Sequence, residues 1–247
     1  MQREYDYSQK ALLERINTYY QLAYKKSIPQ ASCHGLAVLW LKRKFENCSH
    51  IFQNIVKQIV RSSDEELLAH GKEIETFYKD ISLLQQAENQ RFGARTMEEK
   101  NHALPESVSD GSWDQAELTD LFSTKIPSLS GVIIRSITSK KHTVTVYREG
   151  DVYWLFDANY KSGEPKKCSA AQLFSEINAC FYNTFKLVPP SKIPMELELV
   201  TPRPRLIADY PKPLFKPAPA KTTLGVDHKD LSLFLSTLKY PSFPTHN

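Results

Sequence analysis

Cys33 is the residue with the clearest chemical potential in this chain. It lies in IPQASCHGLAVLWL, after a proline-containing loop and at the first position of an apolar helical pattern. A thiol at a helix N-terminus feels the positive end of the helix dipole, which favours the nucleophilic thiolate. Free cysteines more often serve as small core hydrophobes. The start of a helix, not its middle, is what sets Cys33 apart from Cys180, which falls on the apolar face of its own helix. Cys168 opens that helix with no histidine or carboxylate pattern around it.

A nucleophilic cysteine needs a base, and the chain has seven histidines. His34 is adjacent but lies about 100° around the helix, because neighbouring residues do not share a face. His50, His70 and His102 have no carboxylate at an informative spacing, and His228 and His246 lie near the C-terminus. His142 differs, because it opens the strand HTVTVYR, and VYWLFD returns after Glu149-Gly150-Asp151. A two-residue loop at Glu149-Gly150 sets His142 directly opposite Asp157, with Val144 facing Leu155 and Val146 facing Tyr153. Cross-strand neighbours have Cβ atoms about 5 Å apart, within side-chain hydrogen-bonding reach. A loop at Gly150-Asp151 instead sets His142 opposite Asn159, with Asp157 diagonal on the same face. Only a three-residue loop would turn the histidine away. Cys33, His142 and Asp157 would then supply nucleophile, base and orienting acid.

The elements that must position these groups read as follows. Helical periodicity covers residues 8–26, 33–46 and 51–60, then runs from a Ser63-Asp64-x-Glu66 cap to about 91, with Gly71 as a possible break. Residues 92–112 are polar and read as a loop, and a short helix is expected over 113–122. Val132–Ile134 and Ile137 form a β-branched run before the hairpin, and 169–185 returns to helical spacing. Nine of the fifteen prolines lie between 186 and 219. That segment can be neither a regular helix nor a central strand, leaving Met195–Val200 as one short edge strand. A final amphipathic stretch covers 227–239. The expected organisation is a catalytic domain over 1–185, with a helical insert at about 49–112, and a Pro-rich extended segment over 186–247. The latter is either a strap across the domain, anchored by Leu206, Ile207, Tyr210, Leu214 and Phe215, or a polyproline ligand for a partner.

Composition narrows the function classes. The chain has 247 residues, with 32 Lys and Arg against 28 Asp and Glu. A net charge of +4 in scattered pairs argues against a nucleic-acid partner. No window approaches 18 consecutive apolar residues, so no integral membrane segment is expected. The start, MQREYDYSQK, lacks the layout of a cleavable signal peptide. Four cysteines are too few for a disulfide scaffold. Cys33-His34 with Cys48 and His50 fits none of the usual zinc spacings, so no metal and no cofactor are expected. A G-x-S-x-G elbow, a P-loop and G-x-G-x-x-G are all absent.

The CHGLAVLWL, HTVTVYREG and YWLFDANY segments together resemble the papain-like cysteine proteases of the YopT and AvrPphB type, bacterial virulence effectors. The resemblance spans roughly residues 27–185. It implies an α+β papain-like fold, in which a helical subdomain presents the nucleophile at a helix N-terminus against a small antiparallel sheet. It places Cys33, His142 and Asp157 in the triad, Gln30 as an oxyanion candidate and Asn159 as an orienting one. It further implies hydrolysis of an amide bond in a host protein, after delivery into host cytoplasm by a bacterial secretion system. Glutamine deamidases, transglutaminase-like enzymes and acyltransferases use triads of the same order. A non-catalytic protein binding partners through the Pro-rich segment is the reading from another class.

Overall fold

The computed structural model describes residues 5–29, 31–89, 103–137, 142–182 and 190–202, which all belong to one unit of the chain. The expectations for Gln30, for 227–239 and for the strap or polyproline ligand beyond residue 202 lie outside the described residues.

Among the described residues five helices come first: α1 (Gln9–Tyr24), α2 (Cys33–Phe45), α3 (Ser49–Arg61), α4 (Asp64–Ala69) and α5 (Gly71–Asn89). α1 turns Leu12, Leu13, Ile16 and Tyr19 inward and stops at Lys25, which takes the left-handed conformation that ends many helices. α3 buries Phe52, Ile55, Val56 and Ile59 on one stripe. α4 opens with the expected capping box, Ser63 accepting from the Glu66 amide while the Glu66 carboxylate accepts from the Ser63 amide. α2 is different in kind. Its residues His34 to Leu41 are all buried, the mark of a helix enclosed on every side.

The strands β1 (Ala103–Trp113), β2 (Gly131–Ser136), β3 (Thr143–Glu149), β4 (Val152–Phe156), β5 (Lys166–Cys168) and β6 (Ile193–Pro202) form one antiparallel sheet, ordered β1-β6-β2-β3-β4-β5. Two helices join them, α6 (Gln115–Asp120), extended by a π-helical turn over Leu121–Lys125, and α7 (Ala170–Phe181). On one face, Val132, Ile134, Val144, Val146, Tyr153 and Leu155 pack with Leu118, Leu173 and Ile177 of α6 and α7. On the other face lies α2: Trp40 stacks on Phe156 at 5.1 Å, and the Thr145 hydroxyl donates to the Ala37 carbonyl. The fold is α+β, with α2 packed against the sheet.

Two expectations need correction. Residues 103–113 are not loop but the edge strand β1, paired along its length with β6. Its sequence is polar and poor in β-branched residues, so its order comes from the ladder with β6 and not from local propensity. Among the described residues, the expected insert is helical up to Asn89 and strand from Ala103. Met195–Val200 belongs to a ten-residue strand inside the sheet, between β1 and β2, and not to an edge. Its prolines, Pro194 and Pro202, sit near the two ends, so the residues between them keep their ladder donors. The sheet therefore includes a strand beyond residue 185.

Of the two hairpin registers, the structure has the one with Gly150-Asp151 in the loop. Glu149 pairs with Val152, Val146 with Leu155 and Thr145 with Phe156, two residues away from the Val144–Leu155 and Val146–Tyr153 pairing. Gly150 takes φ +63°, which suits glycine at the first turn position. The apolar face is the same in either register, because a shift of two residues preserves parity.

Candidate active site

Three elements converge on the site. Cys33 is the first residue of α2 and is partly exposed. His142 stands one residue before β3, where its carbonyl accepts from the Ser136 amide and extends the β2–β3 ladder. Asp157 follows β4 directly, at the start of a turn closed by the Tyr160 amide donating to the Asp157 carbonyl. The sheet thus delivers the histidine and the carboxylate on adjacent strands, and the helix above it delivers the thiol.

His142 and Asp157 are 2% and 1% exposed, with Nε2 and Oδ1 2.9 Å apart. The same Oδ1 accepts the Asn159 amide at 2.8 Å, a short local turn that fixes the carboxylate. The Asn159 side-chain nitrogen lies 3.4 Å from His142 Nε2. The Cys33 side chain lies near enough to the His142 ring to favour its protonated form. Burial alone would pull the His142 pKa down, but the hydrogen bonds and charges of Asp157 and Cys33 outweigh it and push it up to about 10. Phe181 holds the ring edge-on at a 6.0 Å centroid distance.

The structure brings Cys33, His142, Asp157 and Asn159 together. His34 is fully buried elsewhere, and its pKa is pushed down to about 3 by burial, with Arg135 adding to the effect. It is therefore neutral and does not serve as an alternative partner for the thiol. Burial and Glu46 push Cys48 up to about 11, and burial and Glu176 do the same to Cys168. Among the described residues, no three His, Cys, Asp or Glu side chains gather as metal ligands, and no helix is long and apolar enough to cross a membrane.

Sequence reasoning missed two contributors. Cys180 is 3% exposed and lies in hydrogen-bonding reach of Asp157, with the Tyr160 hydroxyl 3.4 Å from its sulfur. Burial and the Asp157 charge raise its pKa well above the ordinary thiol value, so it remains a neutral donor behind the carboxylate. Gln85, on α5, accepts a hydrogen bond from the Gly35 amide in the first turn of α2. Helical spacing marks Cys180 as buried, but nothing local to either residue points toward the site.

Neither a protein-family model nor a curated protein sequence matches this chain. Among solved structures, the chain is similar to the crystal structure of Pseudomonas avirulence protein AvrPphB. The match has 15% sequence identity and a TM-score of 0.40, and covers 68% of this chain and 90% of that one.

Proposed function

We propose that the protein is a cysteine protease that hydrolyses an amide bond in a host protein through Cys33, His142 and Asp157. The observation that carries this reading is the buried imidazole of His142, held by Asp157 at 2.9 Å and close to Cys33 at the start of α2. A surface histidine would have no reason to be desolvated between a carboxylate and a thiol.

The chemistry follows from those contacts. His142 holds the proton given up by the Cys33 thiol, and the sulfur attacks the scissile carbonyl as a thiolate. The carbonyl π bond opens to an oxyanion, for which the Cys33 backbone N–H is the nearest donor on α2. As the C–N bond breaks, the imidazolium gives its proton to the departing amine and an acyl-thioester remains. Water, deprotonated by His142, then adds to the thioester and expels the sulfur, releasing the carboxylic acid. Asp157 fixes the tautomer and stabilises the imidazolium in both halves of the cycle. A host protein as substrate rests on the resemblance of the three sequence segments to the effector proteases.

The test compares host-cell lysate treated with wild type and with Cys33→Ala, read by mass spectrometry of newly formed N-termini. Termini that appear only with wild type are expected. Identical termini in both samples, with ammonia release or one-mass-unit glutamine shifts confined to wild type, would make the enzyme a deamidase instead.

A further inference from the structure

α2 begins without the cap its own sequence offers. Ser32 stands at the N-cap position, 3% exposed, yet its hydroxyl makes no capping hydrogen bond. The first intrahelical bond is Leu36 N–H to the Ser32 carbonyl, so the Gly35 amide has no acceptor within its own helix. Its partner comes from another element: Gln85 Oε1 of α5 accepts it at 3.0 Å. The two helices meet so closely here that a Cβ on residue 35 would stand 2.3 Å from the Ile81 carbonyl oxygen. Residue 35 must therefore be glycine, and α5 both seats and caps the turn that carries Cys33.

We infer that Gln85 is a positioning residue for the nucleophile, capping the Cys33 turn from α5 with a neutral acceptor. The inference rests on Cys33 being the nucleophile and adds what sets its surroundings. The choice of an amide has a chemical consequence. A carboxylate would cap an N-terminus at least as well, because it complements the dipole. It would also place a negative charge beside a sulfur that must itself become negative. An amide fills the acceptor role without opposing the thiolate. The charged groups that act together with the sulfur are His142 and its partner Asp157. A negative charge at residue 85 would oppose the thiolate that the imidazolium stabilises.

Two variants separate positioning from simple structural support. Gln85→Met keeps the length and removes the acceptor, so Gly35 amide exchange should speed up about tenfold and Cys33 alkylation at neutral pH should slow several-fold. Gln85→Glu keeps the acceptor, so Gly35 stays protected and Tm holds or rises. Its midpoint for Cys33 alkylation against pH should still move up by roughly half a unit. A purely structural Gln85 would shift Tm and leave that midpoint alone. An unchanged Gly35 exchange rate in Gln85→Met, or an unchanged midpoint in Gln85→Glu with wild-type Cys33 reactive, would overturn the inference and leave the protease reading standing. A wild-type Cys33 that reacts no faster than a free thiol would overturn both.

Discussion

Cys33 and His142 are held in different ways. Cys33 is partly exposed on one helical turn, and the contacts that fix that turn come from α5, fifty residues away along the chain. His142 and Asp157 are almost wholly buried between adjacent strands and are tied by Nε2–Oδ1, by the Asn159 amide and by the edge of Phe181. The His142–Asp157 side is over-determined, whereas the Cys33 side depends on packing between two helices. Side-chain losses should accordingly have different signatures. At Cys33 the chemistry should go while the fold stays, and at His142 or Asp157 both should suffer.

The largest difference is expected between Cys33→Ala and His142→Ala. Both should abolish turnover, by about four orders of magnitude or more for the nucleophile and about two to four for the base. Only His142→Ala should also lower stability, by about 3 kcal/mol, because it strands Asp157 as a buried charge. Urea titration of the two variants checks this, and equal stability would erase the contrast.

Asp157→Asn comes next. It keeps the side-chain volume but removes the charge that helps hold the His142 proton, and kcat should fall about a hundredfold or more. The pH dependence has a definite sign. Because His142 is raised from 6.5 to about 10 in the folded state, its contribution is full below pH 6.5 and fades as pH rises toward 10. The Tm advantage of wild type over Asp157→Asn should therefore be greatest near pH 6 and shrink through pH 9. Cys48 and Cys168, raised to about 11, also weaken the fold at alkaline pH, but equally in both proteins.

Smaller effects lie at the margins of the hairpin. Asn159→Ala leaves the backbone amide on Asp157 and removes only the side chain 3.4 Å from His142, so kcat should drop a few-fold with Tm held. Gly150→Ala meets no atom within 4 Å and pays only for a positive φ, about 1 kcal/mol. Its activity should match wild type, because the register behind the turn is set by the buried apolar face.

That apolar face also explains why this hairpin was the most legible part of the sequence. Val144, Val146, Tyr153 and Leu155 bury one face in strict alternation, so His142 and Asp157 had to share a side whichever two-residue loop formed. α2 was equally plain, since its apolar run is long and begins at Cys33. The β1–β6 pair was not legible. β1 has little apolar alternation, and β6 carries prolines that locally exclude an interior strand, so each depends on the other across some ninety residues. Cys180 and Gln85 were missed for a related reason. Their relevance is a contact with a distant element, and neither residue's neighbours in sequence carry any trace of it.

Cys33 and His142 are expected to act as one chemical unit. The direct measurement is the iodoacetamide reaction rate at each of the four cysteines at neutral pH, mapped by mass spectrometry beside a free-thiol peptide, in wild type and in His142→Ala. Cys33 should react at least tenfold faster than the peptide thiol in wild type and lose that advantage in His142→Ala. A Cys33 that reacts no faster than the peptide thiol, or equally fast with and without His142, would contradict it.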